Sequence, residues 1–442
     1  MENRYDKYKD SGIAWIGNIP EHWEVKRLKN VSDFNPPNDQ SISNFSEVGY
    51  LPMERLKNGY MLPSVINVYN LTQGLTFFKE NDIVMAKVTP CFENGNIAIA
   101  KNLINNCGFG SSELFIFRVR SINRKYFFYL LQEEKIKEVC KSTMIGTGGL
   151  KRISPTFMRN LLLPIPPILE QQSIAAYLDQ KCSEIDELIT LQEEMITKLQ
   201  SYKQSVITEA VTKGLDKNVP LKDSDIEWIG KIPEHWKVKR LKNSGYIYGG
   251  LTGKAGNDFN VEEGDNYEYF IPFTNIFNNM CVDMNLLGKV KVSPNEKQNN
   301  VIKNDILFLM SSEDYDGIGK SSLCKENYPQ PLYLNSFCKG LRIGNTFNSI
   351  FLNYFMNSAV GKYFCQIASN GFIRINLRQD KLLACPILCP SLSEQQSIAD
   401  YLDQKCSEID ELISIKQQKI EKLKNYKKSL IFECVTGKRK VS

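Results

Sequence analysis

Most of what constrains this chain is that long blocks of it are written twice. The segment Trp15-Ile16-Gly17-Asn18-Ile19-Pro20-Glu21-His22-Trp23-Glu24-Val25-Lys26-Arg27-Leu28-Lys29-Asn30 returns from Trp228 to Asn243 with 14 of 16 positions identical. The two changes are Asn18/Lys231 and Glu24/Lys237. A second block, Glu170 to Ile189, returns from Glu394 to Ile413 with the single change of Ala176 to Asp400. The offsets are 213 and 224 residues, so the stretch between blocks is 11 residues longer in the second half. Offsets of that size mean duplicated domains, since a solenoid repeats every ~20–50 residues. Residues 31–165 and 244–389 share little, so the order is variable domain, shared helix, variable domain, shared helix. The expected limits are 1–167, 168–214, 215–391 and 392–442.

Composition narrows the class. With 442 residues, 42% of them apolar and 24% charged, the chain suits about three globular domains of ~150 residues and neither a fibre nor a disordered tail. No window approaches the ~18 uncharged apolar residues of a membrane span. The start, Met1-Glu2-Asn3-Arg4-Tyr5-Asp6-Lys7, has no apolar signal-peptide core. Twelve cysteines without a C-x-x-C pair read as reduced cytoplasmic thiols in cores. The two histidines, His22 and His235, are copies of one position, which speaks against a catalytic triad, a histidine-ligated metal or hydrolytic chemistry. A net charge of +5 leaves nucleic-acid binding to local patches.

The shared helices carry a coiled-coil pattern. Leu178, Ile185, Leu199 and Val206 follow seven-residue spacing, with Leu188, Met195 and Tyr202 expected as the second seam row. Their counterparts are Leu402, Ile409, Leu423 and Leu430, with Leu412 and Tyr426. Gln192 and Lys416 make one step polar, which suits a register device. Ser393 with Gln396 predicts a capping box on the second helix, where the first has Leu169 and no cap. Pro164, Pro166, Pro167, Pro386 and Pro390 end the preceding domains. A fully helical Glu170–Lys213 segment of 44 residues would be roughly 66 Å long at ~1.5 Å per residue. The helical windows 170–213 and 394–437 together carry −5, which leaves +10 elsewhere, three of it in Lys438-Arg439-Lys440. The globular parts are therefore better placed to meet phosphates.

The variable segments read as mixed α and β. Asp82–Ala86 and Asp305–Leu309 predict buried strands preceded by turn residues, and Leu114–Val119 another strand. Tyr126–Val139 and Ile350–Phe364 predict closing helices, followed by the loops Gly146-Thr147-Gly148-Gly149 and Ser369-Asn370-Gly371.

Several catalytic signatures fail on inspection. Asn35-Pro36-Pro37-Asn38 has asparagine where an amino-methyltransferase needs an aromatic ring to stack on the flipped base. Gly108-Phe109-Gly110 lacks the strand–turn–helix context of a methyl-donor site. Gly319-Lys320-Ser321 has Asp314 where a P-loop needs its first glycine, and Gly253-Lys254-Ala255 has Tyr248 there. Trp15, His22 and Trp23 beside Pro20, with their copies beside Pro233, read as a structural corner. Cys385 and Cys389 lack the further ligands of a metal site.

The residues alone suit either a duplicated scaffold or a two-headed reader of a target with two different half-sites. The two repeated blocks, the Pro-rich boundary and E-Q-Q-S-I-A-x-Y-L-D resemble the DNA-specificity subunit of Type I restriction–modification systems along essentially the whole chain. That resemblance implies an α+β fold. Two mixed target-recognition domains in tandem would be joined by two long antiparallel coiled-coil helices with pseudo-twofold symmetry. It also implies a non-catalytic subunit that binds double-stranded DNA at a bipartite asymmetric target. Two methyltransferase subunits would dock on it and methylate adenine, and motor-nuclease subunits would cleave unmethylated DNA. No cofactor is expected on this chain; S-adenosylmethionine and ATP would sit on the partners. The competing functions are a self-contained DNA methyltransferase and a coiled-coil scaffold that ignores DNA.

Base and phosphate contacts call for Arg, Lys, Asn, Gln, Ser and Thr on loops. In the first domain the candidates are Lys87, Thr89, Asn94, Asn96, Ser111, Ser112, Thr147, Lys151 and Arg152. In the second they are Ser311, Ser312, Tyr315, Lys320, Asn335, Ser336, Asn370, Arg374 and Asn376. Leu150-Lys151-Arg152-Ile153-Ser154 aligns with Phe372-Ile373-Arg374-Ile375-Asn376, which predicts a shared role for Arg152 and Arg374 in touching DNA or in bracing the boundary strand.

Overall fold

The structure, a computed structural model, describes residues 4–38, 45–262, 266–293 and 295–441. Met1, Glu2 and Asn3 of the heptapeptide read above lie outside the described residues. The chain groups into two compact units, residues 1–193 with 418–442 and residues 194–417. Each of the two long helices, Ile168–Lys213 and Leu392–Val435, gives one half to each unit.

In the first unit the apolar run Leu114–Val119 forms the middle of an antiparallel sheet between Ser32–Phe34 and Ile83–Ala86, with Ile97–Ile99 outside. Its register sets Leu114 against Ala86 and Phe117 against Ile83. A second sheet orders Ser64–Asn67, Glu47–Leu51, Cys107–Gly110 and Thr76–Lys79. Leu51, Phe78, Val84, Ala86, Leu114 and Ile116 fill a common core. Gly108 and Gly110 permit that closeness: a Cβ at either would overlap Phe78 at 2.8 Å or Leu114 at 2.5 Å. The Gly-Phe-Gly run is thus a packing device in a strand.

The second unit is built alike. Cys338–Ile343 lies between Gly245–Gly249 and Ile306–Leu309, with Ser321–Leu323 outside. Glu268–Ile271 is flanked by Gly288–Val290 and by Leu332–Leu334, the latter parallel. In both units the duplicated block pairs with the Pro-rich boundary: Glu24–Arg27 with Leu162–Ile165, and Lys237–Arg240 with Pro386–Cys389.

Asp82 and Asp305 are more than turn residues. Both are buried, and each accepts two hydrogen bonds from a strand arginine, Arg118 at 2.9 and 2.7 Å and Arg342 at 3.0 and 2.8 Å. A buried carboxylate persists only when so paired. The predicted closing helices are each two helices. Arg124–Gln132 meets Glu134–Ser142 at Glu133, and Ser349–Asn357 meets Ala359–Ile367 at Ser358. Glu133 and Ser358 hold extended backbone, and their side chains accept from the N–H groups of the helix that follows.

Within each unit, the start of one long helix lies against the end of the other, which makes them antiparallel. In the first unit Leu178 and Ile185 share a core with Leu430, Ile431 and Cys434, and Leu423 packs against it. In the second, Val206, Ile207 and Ala210 share a core with Leu402 and Cys406. Ile409 is buried and Leu199 half-buried. Equivalent cross-helix ion pairs join Asp186 to Lys427 and Lys203 to Asp410, both at 2.7 Å.

The second seam row differs from the expected one. Leu188, Met195, Tyr202, Leu412 and Tyr426 are exposed, while Cys182 and Cys406 are buried and Ile189 is half-buried. The row stands four residues after Leu178, Ile185 and Leu402 rather than three, on the other flank of the stripe. The cap of the second helix also moves. Ser391 Oγ, not Ser393, accepts from Glu394 N at 3.2 Å.

Candidate nucleic-acid interface

The duplicated blocks meet first in a shared junction. The buried Trp23 donates its indole N–H to Glu170 Oε1 at 3.0 Å, and His22 Nε2 lies 2.8 Å from Glu170 Oε2. Trp236 and His235 repeat this with Glu394 at 2.9 and 3.1 Å. Tyr5 also hydrogen-bonds Glu170, and burial followed by that carboxylate holds its phenol far above the usual range. Both histidines are thereby used by the corner. The junction fixes each long helix to its own domain and leaves the loops of the variable segments to vary.

In the first unit those loops converge on the strand Ile83–Ala86. The hairpin closing at Ile145 and Arg152 lies beside Val88. Thr89 Oγ1 donates to Gly149 O at 2.7 Å and accepts from Lys151 N at 2.9 Å. Lys87 Nζ donates to Ser112 O at 2.7 Å. Arg152 grips Glu113 with Nε and Nη2 at 2.8–3.0 Å, and this guanidinium holds the Glu113 carboxyl below the usual carboxylate range. Lys87, Thr89, Ser111, Ser112, Thr147, Lys151 and Arg152 thus belong to one loop cluster. Asn94 and Asn96 stand apart. Asn94 is exposed in the turn after Pro90, and Asn96 lines a small cavity with Phe92, Leu131 and Lys137.

In the second unit Ser311 and Ser312 pair with Asn376 and Ile375. Both serines are buried, so they support the loop rather than line its surface. Arg374 is exposed, with its guanidinium 5.1 Å from the ring centre of Phe337, in the turn that Asn335 and Ser336 open. Tyr315 is half exposed and its carbonyl accepts from Gln366. Lys320 turns inward, 3.8 Å from the Phe277 ring centre and bonded to Phe277 O at 3.2 Å; burial holds its ammonium below the usual range.

The expected match of Arg152 with Arg374 slips by two residues. Arg152 pairs with Ile145 and Val88 as Asn376 pairs with Asn370 and Ser311. The buried Ile153 and Leu377 follow, bonded to Lys87 O and Met310 O. Arg152 therefore braces its loop through Glu113, while Arg374 sits at a loop tip. Sequence similarity over five residues could not set this register, because it depends on pairing with strands 60 or more residues away. Glu113, Phe337, Phe372 and Ile373, which lie in or beside these loops, are not among the candidates read from sequence. The apolar pair inside a polar loop was the available signal for the last two.

Among the described residues, no group of three or more His, Cys, Asp or Glu is placed to hold a metal ion, and no helix is long and apolar enough to cross a membrane. Nine of the twelve free cysteines are buried, Cys385 among them, as core thiols would be.

Residues 20–200 and 233–425 each match the family model described as "Type I restriction modification DNA specificity domain". The chain is 31% identical to the Type I restriction enzyme EcoAI specificity subunit of Escherichia coli over 49% of its own length and 37% of that protein's. It is 25% identical to the Type I restriction enzyme MjaVIII specificity subunit of Methanocaldococcus jannaschii over 96% of this chain and 94% of the other. The chain thus spans little more than a third of the first relative and nearly all of the second. Its fold is shared with a chain from a solved type I R-M system assembly, with TM-score 0.73 at 16% identity over 94% of this chain and 98% of that one. It is also shared with the HsdS subunit from Thermoanaerobacter tengcongensis, with TM-score 0.53 at 16% identity over 95% and 98%.

Proposed function

Because this chain belongs to the Type I restriction modification DNA specificity family, whose domain it carries twice, we propose that it is the non-catalytic DNA-recognition component of a Type I restriction–modification complex. It reads a bipartite, asymmetric duplex target and directs adenine methylation by two methyltransferase subunits. With motor-nuclease subunits it directs cleavage of unmethylated DNA. S-adenosylmethionine and ATP bind the partners.

One observation carries the reading. Junctions that repeat the same Trp–Glu and His–Glu contacts hold two loop edges of different chemistry, Lys87, Lys151 and Arg152 around a glycine tip in one unit, and Arg374, Phe337 and an apolar tip in the other. A duplicated frame with divergent edges suits a target of two unlike half-sites. In this reading Arg374, Lys151 and Lys87 meet phosphates or guanine, with Thr147, Asn335, Ser336, Asn370 and Asn376 as adaptable polar contacts.

The test is methylation by the purified chain with methyltransferase subunits and S-adenosylmethionine, followed by methylation-sensitive sequencing. One split adenine-containing motif is expected, with no methyl transfer by the chain alone. Methylation without partners would make the chain an enzyme. Absence of salt-dependent DNA binding by the complex would leave only a scaffold.

A further inference from the structure

The loop between Asn370 and Asn376 is closed at its base and bare at its tip. Asn370 N donates to Asn376 O at 3.0 Å and Asn376 N returns to Asn370 O at 2.9 Å. Asn376 Nδ2 adds a bond to Arg374 O at 3.1 Å. Gly371 has φ +140°, and a Cβ there would lie 2.0 Å from Arg374 O. Below the tip Ile375 is buried. Above this base Phe372 is 99% and Ile373 88% exposed. Two large apolar side chains held almost wholly in water on a pinned loop forgo the burial that such side chains ordinarily gain.

Their surroundings are those of a nucleic-acid contact. Arg374 follows immediately, beside the exposed Phe337, and Asn370 and Asn376 flank the pair. From Asn370 to Asn376 the only charge is that of Arg374. The matching loop of the other unit has the same base: Ile145 and Arg152 exchange bonds of 3.0 and 2.9 Å, and a Cβ on Gly146 would lie 2.1 Å from Leu150 O. Its tip, Thr147-Gly148-Gly149, lets backbone approach and carries no large side chain, while the exposed apolar Ile145 and Leu150 lie towards the base of that loop.

Resting on the specificity-subunit reading above, we propose that Phe372 and Ile373 form an apolar wedge that enters one base step of the half-site read by the second unit. Arg374 neutralises the adjoining phosphate, and the first unit reads its half-site without a wedge. Apolar side chains between base steps partly unstack and kink a duplex.

The test uses the complex assembled with methyltransferase subunits and a duplex bearing the motif it methylates, with 2-aminopurine placed in turn at each step except those of the target adenines, which methyltransferases themselves extrude from the stack. A fluorescence rise is expected in one half-site only. Phe372→Ala with Ile373→Ala should abolish it and weaken binding about tenfold, the scale of one lost base contact. The salt slope should stay unchanged, since no phosphate contact is removed. Phe372→Leu should retain most of the effect, and Arg374→Ala should lower the salt slope by about one. No rise at any step, or unchanged binding by the double variant, overturns the wedge. Lost subunit assembly with intact DNA binding also overturns it and marks the tip as a protein contact. A wild-type complex that binds every duplex equally removes the specificity reading itself, and the wedge with it.

Discussion

Trp23 Nε1 and Glu170 Oε1 stand 3.0 Å apart although 147 residues separate them, and each belongs to a different duplicated block. Trp236 and Glu394 repeat the bond at 2.9 Å. The two blocks are thus two halves of one joint, present once in each unit, between a variable domain and its helix.

Glu170→Ala leaves a buried indole N–H without its acceptor and also releases Tyr5 and His22. The expected cost is about 1–3 kcal/mol in urea unfolding followed by tryptophan emission, with a smaller loss for Glu170→Gln, which keeps an acceptor. Glu394→Ala should cost a similar amount in the second unit. A fully stable Glu170→Ala variant would show the joint to be incidental.

The observed seam distinguishes two neighbours on one helix. Ile185 is buried and Leu188 exposed. Ile185→Ala should cost about 2–4 kcal/mol by thermal or denaturant melting, and Leu188→Ala less than about 0.5 kcal/mol. Equal losses would restore the three-residue spacing.

Glycines that follow the helix ends should differ in tolerance. Gly214 and Gly437 have φ +76° and +71°, a region that costs an L side chain about 1–2 kcal/mol. A Cβ on Gly214 meets Trp236 only at 3.3 Å, whereas one on Gly437 would lie 2.2 Å from Pro20 Cδ. Gly437→Ala should therefore lower Tm more than Gly214→Ala, as differential scanning calorimetry would show.

The Arg152–Glu113 pair sets a pH dependence at one loop. Arg152 depresses the Glu113 carboxyl in the folded chain. Its stabilisation is fully present above the unfolded carboxylate value of about 4.3 and is lost as pH falls through the lower folded value. Arg152→Ala should move Glu113 titration, followed by carboxyl carbon NMR, upward into the ordinary range. An unmoved titration would mean that the guanidinium does not hold this carboxylate.

Much of this protein was legible in its residues. The duplication, the long helices, the strand Leu114–Val119 and the loops rich in polar and cationic residues follow from repeats, periodicity and turn chemistry, all of which are local or self-similar signals. The asparagines and cations after each strand were legible as candidates too. Whether they are gathered was not, because Asn96 and Lys87 differ only in which distant element each faces.

The remainder is decided by partners far along the chain. The seam row depends on which flank of the apolar stripe the second helix covers, and Leu188 and Ile189 are equally apolar until that helix arrives. Asp82 is a turn residue by sequence and an ion-pair partner only once Arg118 crosses its sheet. The register of Arg152 is set by Val88 and Ile145 rather than by its neighbours. By itself, the sequence determined the long helices, several core strands and the duplication of both blocks. Only tertiary structure decided which side chains those elements bring together, because pairing across 36 to 241 residues leaves no periodic trace.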